Sequence, residues 1–465
     1  MNRKKTKGRG RNLTEGEMLK TLFLLAAPVV LGMALQTGFN IIDTFFIGML
    51  GSEELAAISV TFPVVFIFIA IASGLAIGST ALVSQSIGAR KTSKASNIAL
   101  HSIIIGIITG TTIAVLGVFF SPPLFRFMGV SGHILEMTIQ YANLIFFGFV
   151  FLFIGFIAQG IIQADGDTVT PTRNLGVAVF LNIILDPLFI FGLGPVPAMG
   201  LVGAGLATVL ARSVGAFLNI FHIFTNRTSI RMDIKYFVPE VLIFKRIVAI
   251  GFPSSLSNSI NSIGMILLMS LVGAFGTSAI AAFGVGIRLE SLAIMPIIGL
   301  SSAVIPFVGQ NLGAKKIQRA KESVSLAAYA VIAFMCLFWL VWFFMPEIVY
   351  SPFTTDPDVL AIGSSYLRII SFGYIFMGLN FILGAAFQGS GRTDLQLSVN
   401  LIRWIFVISS AYFLVGILGA NGIWVGFPIG NFAGFLIAFT ILKTGFWLKG
   451  WRKAGKTDLY MNEQN

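Results

Sequence analysis

From Pro28 to Lys91 the chain can be laid without a gap over Pro253 to Lys316, at a constant offset of 225 residues and about one quarter identity. Pro28 meets Pro253, Gly51 meets Gly276, Ala56-Ala57 meets Ala281-Ala282, and Gly74-Leu75 meets Gly299-Leu300. Gln85-Ser-Ile-Gly-Ala-Arg-Lys91 meets Gln310-Asn-Leu-Gly-Ala-Lys-Lys316. The register persists at Phe147-Gly148 against Phe372-Gly373, Gln163 against Gln388 and Gly166 against Gly391. A repeat of this length is one structural unit made twice, so whatever the first half folds into, the second must also build.

The medium for that fold is lipid. The 465 residues are 56% hydrophobic and only 11% charged, where a soluble chain carries about 25% charged residues. One globular core cannot hide so much apolar surface. The net charge of +12 does not point to nucleic acid, because the basic residues sit in short segments between apolar runs and are not interleaved with aromatics on a polar face. The single cysteine, Cys336, excludes a disulfide framework or a cysteine metal site. His101, His133 and His222 are scattered, and no HExxH, GxSxG or nucleophile–base set is present, so an enzyme is not expected.

Twelve apolar runs are expected to span, at about 18–46, 53–82, 95–121, 137–163, 168–192, 198–225, 241–272, 278–307, 319–345, 359–388, 393–416 and 420–447. The expected class is an all-α polytopic membrane protein of two six-helix bundles. Residues 1–17 form an N-tail, 18–225 an N-terminal lobe, 226–242 a linker, 243–447 a C-terminal lobe and 448–465 a C-tail. The linker reads either as an interfacial segment or as a plain tether. Basic charge collects in alternate loops, at Arg90-Lys91-Lys94, Arg173, Lys315-Lys316-Arg319-Lys321 and Arg392, in the linker and in both tails. The intervening loops are poor in it, Arg126 excepted. The positive-inside rule then puts both termini in the cytoplasm of a plasma membrane, the bacterial inner membrane. Six spans per half is even, so both halves enter the bilayer in the same direction and their pseudo-twofold lies along the membrane normal.

Nearly all nineteen carboxylates fall in loops or tails; only Asp43, Asp186 and Glu290 are placed inside spans. A carboxylate in hydrocarbon costs about 2.5–3.5 kcal/mol on insertion scales and should face a cavity or a partner. Gln36, Asn40 and Asp43 share one face of the first span. Asn182 and Asp186 share a face of the fifth, where Pro187 removes a backbone donor. Thr208 and Arg212 share a face of the sixth. Together they make a polar pocket in one bundle, whose hard oxygens suit Na⁺ and equally a proton. The plain alternative is a satisfied polar network with Arg212 neutralising one acid. At the repeat offset Asp43 becomes Leu268, and Asp186 falls near Ala411. The second bundle thus manages without the acids, which argues that they serve function.

In the second half Glu290 is expected either to pair with an arginine of another span, such as Arg403, or to serve substrate or gating, with Arg288 nearby. Asn258 and Asn261, in a polar row with Ser254, Ser255 and Ser257, are candidates to line a cavity. Pro28 and Pro253 read as static kinks or as hinges, Pro28 being the candidate hinge. A doubled bundle with acids on one side suits a secondary transporter working by alternating access.

These residues resemble the multidrug and toxic compound extrusion (MATE) transporters over nearly the whole chain. The likeness is carried by Gln36-Thr-Gly-Phe-Asn-Ile-Ile-Asp43 with Gly48-Met-Leu-Gly51, Gln85-Ser-Ile-Gly-Ala-Arg90, Gln163-Ala-Asp-Gly-Asp167, Asn182-Ile-Ile-Leu-Asp186-Pro187 and Gly203-Ala-Gly-Leu-Ala-Thr208. The second half adds Gln310-Asn-Leu-Gly-Ala-Lys315 and Gln388-Gly-Ser-Gly-Arg392. The resemblance implies a V-shaped twelve-helix fold and export of cationic, lipophilic small molecules in exchange for Na⁺ or H⁺. It matches Asp43, Asn182, Asp186 and Thr208 to the N-lobe cation or proton site of the DinF-like branch. The NorM-like branch has a seventh-span glutamate where Asn261 stands here. No cofactor beyond the coupling ion is expected, and the chain is expected to act as a monomer in the bilayer. A flippase for lipid-linked sugars is the alternative, kept by Arg212, Arg288 and Arg403.

Overall fold

The computed structural model describes residues 10–225, 227–230 and 232–448, so most of the two expected tails lies outside the described residues. These residues are helical, with no strand among them. In the first half the helices are α1 Met18–Gly48, α2 Ser52–Gly88, α3 Thr92–Phe127, α4 Gly132–Ala164, α5 Val169–Pro187 and α6 Gly200–Phe224. In the second they are α7 Val241–Gly273, α8 Thr277–Gly313, α9 Ile317–Phe344, a short α10 Pro346–Tyr350, α11 Pro357–Gly389, α12 Thr393–Leu418 and α13 Ala420–Lys443. Twelve of these, with α5 counted through to Gly192, are long and apolar enough to cross a bilayer, as expected from the hydropathy pattern.

The repeat is visible in backbone detail. Arg90 and Lys315, at the same place in the two copies, both adopt a left-handed φ of 60°. Each follows a helix end in which Ser86 O accepts from Lys91 N at 3.0 Å, or Asn311 O from Lys316 N at 2.8 Å. This is the hydrogen-bond pattern that closes a helix C-terminus, where glycine is the usual residue. A basic residue there meets the negative end of the helix dipole, which offsets part of the left-handed strain. The strongest repeated motif is therefore a helix stop.

The chain divides into two compact units, one holding Pro28–Phe252 and the other Leu13–Ala27 with the chain from Pro253 onward. The borders differ from the expected lobes, 18–225 and 243–447, and both fall on the paired prolines inside α1 and α7. In the first unit α4 packs against α2, α3 and α6, and α5 against α6. The start of α7 joins it because α2 and α7 touch through glycine: a Cβ on Gly78 would sit 2.7 Å from Ile247 O, and one on Gly251 would sit 3.1 Å from Gly74 O. The linker is fastened rather than free. Asn97 Oδ1 accepts from Val238 N (3.1 Å) and His101 Nε2 from Glu240 N (3.0 Å). Thr228, Ile230 and Met232 are buried.

In the second unit α11 is central and packs against α8, α9 and α13, while α12 packs on α13. Residues of the expected N-tail are built into this unit. Leu13 is fully buried, its N–H donates to Gln310 Oε1 (3.2 Å), and its carbonyl accepts from Asn311 Nδ2 (3.0 Å). Arg319 Nη2 donates to Gly16 O (2.7 Å). Each unit thus holds the chain that leads into the other repeat.

Candidate cation site

In the first unit α1 presents Gln36, Asn40 and Asp43 together, with Gln36 Nε2 donating to Asn40 Oδ1 at 3.2 Å. On α5 Asn182 and Asp186 are fully buried, and Asn182 Nδ2 donates to Asp186 Oδ1 at 2.9 Å. Pro187 supplies no N–H, and the helix widens there into a π-helical turn, Leu188–Gly192. On α6 the Thr208 hydroxyl and Arg212 are the neighbours that act on Asp43, and Asp43 in turn acts on Asp186. Arg212 lies over the Phe39 ring, 5.5 Å from its centroid. Gln36, Asn40, Asp43, Thr208 and Arg212 line one cavity of about 270 Å³; Asn182 and Asp186 are not among its lining residues.

Four oxygens set this cluster apart from a satisfied network. Asp43 Oδ1, Asn182 Oδ1, Asp186 Oδ2 and Thr208 Oγ1 are each buried with no hydrogen bond of good geometry, although the Thr208 hydroxyl is near enough to Asp43 to act on it. Buried polar atoms are nearly always paired. Four unpaired oxygens on the four residues singled out from sequence, two of them from carboxylates, fit a hard cation. They fit a proton on either acid equally well, since the proton would supply the missing donor. Arg212 does not complete the set: Asp43 Oδ1 receives no hydrogen bond from it.

Sequence reasoning missed Tyr141, on α4, which is buried and lines the same cavity as Asp43 and Arg212. It also missed a second cavity of about 290 Å³ that shares Gln36, Phe39 and Arg212 with the first and adds Gln159, Gln163 and Asn219. Pro28 borders this region, its carbonyl accepting from Thr172 Oγ1 at 2.8 Å.

The remaining candidates stand in the second unit. Asn258 and Asn261 line a smaller cavity of about 60 Å³. Glu290 is buried, but the expected pairing with Arg403 does not form. Tyr366 Oη donates to Glu290 Oε1 at 2.6 Å, while Arg403 is held by asparagines, Asn261 among them at 2.6 Å. The helices decide this: α8 turns Glu290 toward the tyrosines of α11, and α12 turns Arg403 toward α7 and α13. Arg288 is exposed.

Two carboxylates expected in a loop are buried at the α4–α5 turn. Asp167 Oδ1 accepts from Thr170 N at 2.9 Å, opening α5, and Asp167 Oδ2 lies 3.8 Å from His222 Nε2. Asp165 accepts from the Ser229 N–H at 2.9 Å and from the Ser229 hydroxyl. Burial raises the Asp165 pKa from 3.8 to about 7; the Ser229 bond opposes the shift and Asp167 adds to it. The folded protein therefore keeps a proton, between 3.8 and about 7, that the unfolded chain has released. By linkage, stability falls as pH rises through that window. Asp165→Asn should flatten this slope in thermal unfolding curves of the detergent-purified protein; an unchanged slope would remove Asp165 as its source.

Comparison with known proteins gives the family. The MatE family model matches residues 28–188 and again 253–413, the two copies of the repeat. The chain belongs to the MatE family and is a membrane transporter, not an enzyme. It is 31% identical to a Shewanella oneidensis protein named FAD transporter, over 89% of this chain and 91% of that one. It is 27% identical to the probable multidrug resistance protein NorM of Thermotoga maritima, over 94% of each. Among solved structures it resembles one described as a MATE P26A mutant, with a TM-score of 0.88 and 29% identity over 96% of this chain and 100% of that chain. An outward-facing multidrug resistance MATE transporter matches with a TM-score of 0.86 and 29% identity, over 96% and 99%.

Proposed function

We propose that this protein is a multidrug antiporter that exports cationic, lipophilic compounds by alternating access, driven by H⁺ or Na⁺ bound at Asp43, Asn182, Asp186 and Thr208. The observation that carries the reading is that these four residues are linked in series, Thr208 to Asp43, Asp43 to Asp186 and Asp186 to Asn182, and each keeps a buried oxygen without a well-formed hydrogen bond. Relatives named as multidrug resistance or multidrug export proteins support the cargo class. Loading the ion from outside removes charge from the acids and favours one arrangement of α1; release to the cytoplasm restores the other. Ion and drug can drive each other only because each binds the two states with different affinity. Pro28, where the unit border crosses α1, is the place for α1 to bend, and relatives have been solved in forms described as bent and straight. The flippase alternative is disfavoured by the family match across both repeats. The loop charges support a plasma-membrane location with both termini in the cytoplasm.

The test is ethidium efflux from proteoliposomes under an imposed Na⁺ gradient or an imposed pH gradient. Efflux driven by one gradient is the expected result and names the ion. Absence of efflux under both, with folded protein, would overturn the antiporter reading.

A further inference from the structure

The second unit carries a buried cation that forms no ion pair among the described residues. Arg403, in the middle of α12, is 8% exposed. Its Nε and Nη2 donate to Asn400 Oδ1 at 3.0 and 2.9 Å, and Nη2 also donates to Asn261 Oδ1 at 2.6 Å. Nη1 reaches Asn431 Oδ1 only at 3.4 Å. The guanidinium lies over Trp404, 4.8 Å from the ring centroid, and Trp404 Nε1 donates to Asn261 Oδ1 at 2.9 Å. Every acceptor here is a neutral amide. Amides orient a guanidinium but do not cancel its charge, and arginine does not shed its proton in proteins. Among the described residues no carboxylate forms an ion pair with Arg403, and Glu290, buried in the same unit, is engaged by Tyr366.

Beside the guanidinium is the cavity of about 60 Å³, lined by Ser257, Asn258, Asn261, Asn380, Asn400 and Asn431. It is large enough for a group of a few heavy atoms and too small for a whole drug. Asn380 also lines it and keeps one oxygen unpaired. Asn380 Nδ2 donates to Asn431 O at 2.9 Å, while Asn380 Oδ1 has no partner. A glycine lets α13 approach both residues: a Cβ on Gly434 would come within 3.1 Å of Arg403 Cβ and 3.2 Å of Asn380 Nδ2. Positive charge with spare donor capacity, next to an unpaired acceptor, selects an acid group that also presents a hydroxyl or N–H.

We propose that this cavity is an anion subsite, in which Arg403 takes the carboxylate or phosphate group of a cargo molecule and Asn380 takes an adjoining donor. The assignment goes beyond the cationic cargo proposed above and does not rest on the ion site of the first unit. It extends the exported class to zwitterions and acids.

Trp404, stacked on Arg403, makes the binding step readable. Inorganic phosphate and acetate, titrated separately into the purified full-length protein, should each give a saturable change in tryptophan emission if both acids fit. A response to one alone names the acid class. The response should vanish in Arg403→Met and persist, weakened, in Arg403→Lys. In proteoliposomes the dyes rhodamine B, which carries a free carboxylate, and rhodamine 6G, a related dye whose carboxylate is esterified, separate this site from the transport cycle. Arg403→Met should lower the rhodamine B to rhodamine 6G export ratio by about tenfold, the effect of one charge-assisted hydrogen bond. No saturable response to either anion in the wild type, or equal loss of both dyes in the variant, overturns the proposal. Loss of rhodamine 6G export by the wild type would instead count against the multidrug reading.

Discussion

Asp43→Asn should lose gradient-driven ethidium efflux by about 5- to 150-fold, the range spanned by a coupling free energy of about 1–3 kcal/mol. Asparagine keeps the shape of the side chain and one acceptor oxygen, but it cannot take up a proton and holds a cation far less well. The fold should survive, because Asp43 Oδ1 makes no well-formed hydrogen bond in the protein and an asparagine oxygen can still accept from the Thr208 hydroxyl. The repeat makes the same point. At the matching places in the second unit, Leu268 and Ala411 are buried apolar residues, so helices of this kind pack without acids. The variant should still bind ethidium while failing to respond to the gradient. Glu290→Gln is the control: a glutamine oxygen can still accept from Tyr366, so coupling should remain. Normal efflux in Asp43→Asn would falsify the assignment of coupling to this site.

The elements that sequence disclosed are those whose cause is local. Each span is a hydropathy run, and its existence needs no knowledge of neighbours. Helix ends were less legible. The second span was expected to stop near residue 82, but α2 runs to Gly88, because Ser84, Gln85 and Ser86 lower hydropathy before the left-handed turn at Arg90 stops the helix. The polar face of α1 and the pair on α5 were readable from spacing, and Asp43 of the first acts on Asp186 of the second. Partners across helices were not readable. Nothing in the spacing around Glu290 distinguishes Arg403 from Tyr366, and Tyr141 is one hydroxyl in a long apolar helix. The unit borders were hidden for the same reason. A proline inside an apolar run marks where a helix is weakened, not which bundle the preceding residues join, so Leu13–Ala27 in the second unit was legible only in three dimensions.

Gly203→Ala should be among the most damaging single-methyl changes, and it should strike the ion site without touching it. A Cβ on Gly203 would sit 2.3 Å from Phe189 O, 2.5 Å from Phe189 C and 3.0 Å from Ile190 N. All three are backbone atoms, which cannot rotate aside as a side chain would. Phe189 O is also held by the Met199 N–H at 2.9 Å. The remaining escape is for α6 to move off the π-helical turn. That turn follows directly on Asp186-Pro187, and Thr208 lies farther along the same helix as Gly203, so separation spreads the oxygens that would share the ion. Overpacking of this kind costs about 1–3 kcal/mol. The expected result is a lower unfolding temperature together with weaker gradient-driven efflux. Gly38→Ala is the matched control, since a Cβ there meets nothing within 4 Å and alanine favours the helix by about 1 kcal/mol over glycine. If Gly203→Ala and Gly38→Ala behave alike in both assays, the close seating of α6 on the turn does not position Asp186. If only the first loses coupling, the glycine is what lets the two halves of the site come together.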